Sequence, residues 1–219
     1  MKQVSLSVES LSKLFNRRTI FEGVSFSLKQ GESLAVTGKN GSGKSTLAKI
    51  VCGLISSNAG SIRCAVAGRE IRQEDMFQHI GFVAPYLNLY EEFSGIENLR
   101  LIGKIRNLPD TMEAEGEDLL REFGIFERRL DDVRTYSSGM KQRLKYAAAL
   151  LHHPEILILD EPTANLDIEG IAVVRRIMRV QTMEGILLIA TNEKEDLEYA
   201  ATVLDLDARK TARKTSPAS

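Results

Sequence analysis

The first ten residues alternate between apolar and polar. Val4, Leu6 and Val8 share one face, which predicts a strand over residues 2–10. Val24, Phe26 and Leu28 repeat the pattern in a second strand. Gln30-Gly31 reads as a turn, and Ser33–Thr37 is a short apolar strand that stops at Gly38. The period then changes. Leu47, Ala48, Ile50, Val51 and Leu54 are spaced as one face of a helix over Ser45–Leu54. Ile80–Val83 is a further strand, ended by Ala84-Pro85. Residues 95–150 read as mostly helical, with an acidic stretch at Asp110, Glu113, Glu115, Glu117 and Asp118. Ile156–Leu159 and Ile186–Ala190 are apolar without interruption, as expected of strands covered on both faces. Val203–Leu206 closes the series. Strands alternating with helical stretches predict an α/β fold with a mainly parallel central sheet. The core spans about 1–84 and 155–207, and a helical insert spans about 85–154.

Composition narrows the class. A chain of 219 residues, 43% apolar, suits one domain with an inserted subdomain and can bury a sizeable core. Its 29 basic and 30 acidic residues nearly cancel, which argues against attachment to nucleic acid through overall charge. Arg209, Lys210, Arg213 and Lys214 nevertheless gather in the segment 208–219, which repeats Ala-Arg-Lys-Thr and reads as a basic disordered tail. Cys52, Cys64 and three histidines fit neither a disulfide framework nor a zinc site, so two reduced cysteines are expected. No apolar run approaches the roughly 20 residues of a membrane-spanning helix. The N-terminus lacks the apolar core of a signal peptide. A soluble chain is expected, with any membrane role exercised through a partner.

Two motifs carry chemistry. Gly38-Lys39-Asn40-Gly41-Ser42-Gly43-Lys44-Ser45 matches G-x-x-x-x-G-K-[ST] between a strand and a helix. The glycines let backbone N–H groups face a phosphate, Lys44 supplies positive charge, and the Ser45 hydroxyl suits Mg²⁺. The helix start adds its own N–H groups to the same anion. Farther along, the apolar strand Ile156–Leu159 ends in Asp160-Glu161, at the sheet end where ligands bind in such folds. Asp160 is placed for the Mg²⁺ shell, and Glu161 for orienting and polarising an attacking water.

With these motifs in order, the sequence resembles the ATP-binding subunits of ABC transporters over about residues 4–207. Tyr136-Ser137-Ser138-Gly139-Met140-Lys141-Gln142-Arg143 is similar to the family signature, whose usual core is Leu-Ser-Gly-Gly-Gln, and lies 20 residues before Asp160. Pro162–Asp167 follows like the family's D-loop, and Phe15 sits where the family places an aromatic on adenine. The resemblance implies a P-loop NTPase core, with an N-terminal antiparallel β part beside the parallel sheet and the α-helical subdomain inserted. It carries Thr46 into the nucleotide-binding set. It also implies that Ser137 and the Gly139 N–H reach the γ-phosphate of ATP held by a second ATPase subunit, identical or paralogous. The helix behind them is expected from about Lys141.

Three departures stand out. The signature has Ser138 and Met140 in place of glycine and glutamine. Pro85 replaces the glutamine that usually ends the Ile80–Val83 strand, removing an amide that would face Mg²⁺ or water. Asn192 replaces the usual switch histidine; it can donate a hydrogen bond but cannot titrate. With Lys44, Ser45, Asp160 and Glu161 intact, ATP and Mg²⁺ binding and a slowed hydrolysis are expected, with Asn192 in the catalytic set. The resemblance implies a cytoplasmic ATPase, peripheral on the membrane through transmembrane permease subunits and resembling compact exporter types. No nucleic-acid partner is expected. The other reading is a soluble ABC ATPase acting on a macromolecular assembly, such as an iron-sulfur or nucleic-acid system. The aromatic run Tyr86, Leu87, Leu89, Tyr90 and Phe93 is either a partner surface or packing under the insert.

Overall fold

The computed structural model describes residues 3–109 and 112–208. Asp110 and nearly all of the basic tail lie outside the described residues. In chain order the elements are β1 (Val4–Phe15), β2 (Arg18–Lys29), β3 (Ser33–Thr37), α1 (Lys44–Val51), β4 (Ala59–Val66), β5 (Arg69–Ile71) and β6 (Ile80–Val83). There follow α2 (Gly95–Ile105), α3 (Met112–Glu122), α4 (Ser138–Leu150), β7 (Ile156–Asp160), α5 (Ile168–Glu184), β8 (Ile186–Ala190), α6 (Lys194–Leu197) and β9 (Thr202–Asp205).

The strands form two sheets. One is antiparallel in the order β2-β1-β4-β5; the other is parallel throughout, in the order β6-β7-β8-β3-β9. The uninterrupted apolar runs now have a cause. Ile156, Ile158, Ile186 and Leu188 enter a core shared with α1 and the antiparallel sheet. Leu157, Leu159, Leu187 and Ile189 enter a second core with α4 and α5 on the opposite face. A central strand that feeds both cores has no polar face to alternate with.

Several expectations are corrected. The first strand runs on to Phe15 and the second begins at Arg18, joined by Asn16-Arg17 with φ of 48° and 66°. Positive φ at both central residues suits the twist of a two-residue hairpin. The alternation of β1 breaks after Val8 because the pairing register shifts there. Strands β4 and β5 were not expected, although Ile62, Cys64 and Val66 alternate. Helix α1 covers Lys44–Val51, starting one residue before and ending three residues before the span the sequence spacing suggests. Helix α4 starts at Ser138, three residues before the expected Lys141.

Helices α2 and α3 pack on each other and on α4. A capping box fixes where α2 begins: Ser94 Oγ accepts from the Glu97 N–H, and Glu97 Oε2 accepts from the Ser94 N–H at 2.8 Å. Buried Asn98 holds the preceding loop, accepting from the Tyr90 N–H at 2.9 Å and donating to its carbonyl at 2.9 Å. The acidic side chains of α3 are paired rather than clustered: Glu113 with Arg100, Glu117 and Asp118 with Arg121, and Glu115 with His153. Cys52 and Cys64 are both buried and unbonded to each other.

Candidate active site

The phosphate loop leaves the end of β3 and turns into α1. Gly43 sits directly before the helix with φ 113°. A Cβ there would come within 2.6 Å of Ile20 Cγ2, so both backbone and space require glycine. Among the described residues no side chain caps α1, which leaves its first-turn N–H groups for an anion. Lys44 is buried and donates from Nζ to the Gly38 carbonyl at 2.7 Å. The Lys39 N–H donates to Asp207 Oδ2 at 2.6 Å, anchoring the outer side of the loop to the segment after β9.

The loop lines a cleft of about 390 Å³. Asn40, Gly41, Gly43, Lys44, Ser45 and Thr46 face it from one side and Glu161 from the other. Gly38 and buried Ser42 lie within the turn of the loop, where a Cβ on Gly38 would meet Ser42 Oγ at 2.7 Å. Glu161 follows β7 in the left-handed region, with φ 51°. A non-glycine residue held there is strained, and such strain concentrates at working sites. Its N–H donates to the Ala190 carbonyl at 2.8 Å. An adjoining cleft of about 610 Å³ contains Asn40, Glu161, Thr163, Arg175 and Asn192. There Asn192 donates from Nδ2 to Asn40 Oδ1 at 3.1 Å, tying the segment after β8 to the phosphate loop.

Asp160 is almost fully buried at the end of β7. Its Oδ2 accepts the Tyr86 hydroxyl at 2.8 Å, and its buried Oδ1 has no hydrogen-bond partner among the described residues. Desolvation, then the bond to Asp160, hold the Tyr86 hydroxyl far above the usual phenol range, so it stays a donor. Burial, with help from the same carboxylate, likewise pushes the Cys52 thiol up. Tyr86 is the site residue that sequence reasoning placed elsewhere. The aromatic run divides: Tyr86 turns into the nucleotide site, Leu87 and Leu89 line a separate groove, and Tyr90 and Phe93 stack at 5.7 Å on the surface.

Ser137 and Gly139 line neither cleft. Ser137 is the N-cap of α4, its Oγ accepting from the Met140 N–H at 3.2 Å. A serine oxygen that accepts this bond still has its O–H to donate. Gly139 lies in the first turn, where N–H groups have no partner within the helix. A Cβ on Gly139 would stand 3.2 Å from the Asn165 carbonyl, so the loop after β7 lies against the start of α4. Arg143 of α4 bonds Asp167, the N-cap of α5, and holds its carboxyl below the usual carboxylate range. Phe15 is exposed at the end of β1, with Lys13 Nζ 4.7 Å from its ring centre.

Comparison with known proteins agrees with this arrangement. The sequence profile described as ABC transporter matches residues 21–164. The chain belongs to the ABC transporter family. This ABC chain is 35% identical to the linearmycin resistance ATP-binding protein LnrL of Bacillus subtilis, over 89% of its own length and 63% of that protein. It is 34% identical to the lantibiotic transport ATP-binding protein SrtF of Streptococcus pyogenes, over 90% of its length and 83% of SrtF. Against LnrL and two further Bacillus subtilis ABC proteins it spans just under two thirds of the relative's length. A solved structure titled as the ATP binding subunit of an ABC transporter superposes with a TM-score of 0.80 at 30% identity, covering 91% of this chain and 85% of that one.

Proposed function

We propose that the chain is the ATP-binding and ATP-hydrolysing subunit that powers a membrane ABC transporter, of the exporter type. One observation carries the reading: Lys44, Ser45 and Glu161 converge on the cleft at the end of the parallel sheet, with Asp160 buried at the end of the same strand as Glu161. Lys44, released from the Gly38 carbonyl, would meet the β- and γ-phosphates. The N–H groups of residues 41–46 and of the α1 start would surround them. Glu161 would accept a proton from the attacking water, and Asn192 would donate to the γ-phosphate.

Asp160 and Ser45 suit Mg²⁺. Asp160 Oδ1 is a buried carboxylate oxygen with no partner among the described residues, the kind of hard donor such a cation takes. Bound there, the ion would neutralise charge on the phosphates. Phe15 would meet the adenine. Ser137 and the Gly139 N–H, which line neither cleft, would serve ATP held by a second ATPase subunit. The unit comprises a core of about 1–84 and 155–207 and an insert of about 85–154. It would work peripherally on the cytoplasmic face of the membrane, against permease subunits. The named activities of LnrL and SrtF, resistance and transport, favour an exporter.

The test is ATP binding by calorimetry together with molar mass by light scattering. With a non-hydrolysable ATP analogue and Mg²⁺, the chain is expected to bind nucleotide and its mass to double. Lys44→Ala is expected to lose both. A chain that binds no ATP contradicts the reading.

A further inference from the structure

The loop after β6 carries Pro85 and Tyr86 at the edge of the nucleotide site. Lys145 of α4 donates from Nζ to the Pro85 carbonyl at 2.6 Å, and the Leu87 N–H donates to the Ala84 carbonyl at 3.2 Å. Those bonds aim the next side chain back over the sheet. The Tyr86 ring lies under Lys49 Nζ of α1, 3.9 Å from its centre, and faces Phe82 at 6.4 Å. A cation over the ring face holds its plane. The hydroxyl then reaches Asp160 Oδ2 at 2.8 Å, across 74 residues of sequence. Pro85 has no side-chain donor to offer; the neighbouring residue supplies one.

We propose that Tyr86 is a positioning residue of the Mg²⁺-nucleotide site: its hydroxyl occupies Asp160 Oδ2 and leaves Oδ1 as the oxygen available to the cation. The inference rests on the ATPase reading above and adds a residue to it. A carboxylate held by one donor is fixed in rotation, so its second oxygen meets the cation without a further ordering cost. Tyr86 contacts neither nucleotide nor water in this role; it acts through Asp160.

The experiment is a Mg²⁺ titration of the binding of a fluorescent ATP analogue, begun in EDTA, on wild type and Tyr86→Phe. Phenylalanine keeps the ring under Lys49 and removes only the donor. The Mg²⁺ concentration for half-maximal effect is expected to rise about tenfold, the scale of one hydrogen bond to a charged group. Affinity in EDTA is expected to stay within about twofold, because the donor acts only through Asp160. A Mg²⁺ curve that superposes on wild type overturns the proposal. So does an equal loss with and without Mg²⁺, which marks a general structural role. Wild type that binds no nucleotide under either condition sinks the ATPase reading itself, and that outcome is visible without the variant.

Discussion

Gly43 and Glu161 show how single residues bear the site. Each holds a left-handed backbone, one as a glycine with no side chain to clash and one as a carboxylate that must point into the cleft. Gly43→Ala is expected to cost on the order of 2 kcal/mol by urea denaturation, because φ is positive and Ile20 leaves no room. The same variant is expected to lose nucleotide binding, since the loop must move to admit the methyl. Residues of this kind were legible. A phosphate loop and an acidic strand end are local patterns whose chemistry demands those residues at those spacings. Tyr86 was not legible in its observed role. Its partner is distant in sequence, and nothing in an aromatic run tells which ring turns inward. Ser137 lay between: the sequence suggested both a cap and a phosphate donor, and the cap is what the chain displays.

At the scale of elements, β7 and β8 were legible because two cores leave them no polar face. Strand β4 was missed because its alternation is short, Ile62, Cys64 and Val66 after three exposed residues, and β5 because it has only three residues. β4 pairs with β1 on one side and β5 on the other, a pairing that sequence alone cannot show. The contact of the α2 end with the segment after α4 gives a pH prediction. Arg106 of the α2 end donates to the Phe77 carbonyl and to His152 Nε2, the latter at 2.9 Å. Arginine only donates, so His152 accepts as the neutral ring. Burial, then Arg106, hold its pKa down to about 3. In the unfolded chain it titrates near 6.5. Between those values the unfolded chain binds the extra proton, so stability is complete above about pH 6.5 and falls as pH drops through the window toward 3. The urea midpoint at pH 4.5 is expected below that at pH 7.5, and His152→Gln is expected to shrink the difference. An undiminished difference in the variant places the titration elsewhere.

As a whole molecule, the chain joins an antiparallel sheet, a parallel sheet and a set of helices around one phosphate loop. Among the described residues, no helix is long and apolar enough to cross a membrane. The α/β class and the order of its parts were readable because each motif marks a strand end or a helix start. Helix α4 packs both on α2 and α3 and on β6, a double contact that spacing along the chain does not reveal. The family's motifs are split between two surfaces of this molecule: the clefts around Glu161 and the exposed start of α4. That division would suit the second ATPase subunit proposed above. The central claim is that this cleft hydrolyses ATP with Glu161 as the group that receives the proton of the attacking water. Phosphate release at steady state, on wild type and Glu161→Gln with ATP binding measured in parallel, tests it most directly. Turnover is expected in wild type, with a loss of at least about 100-fold in the variant while ATP is still bound. Equal turnover in the two proteins would contradict it.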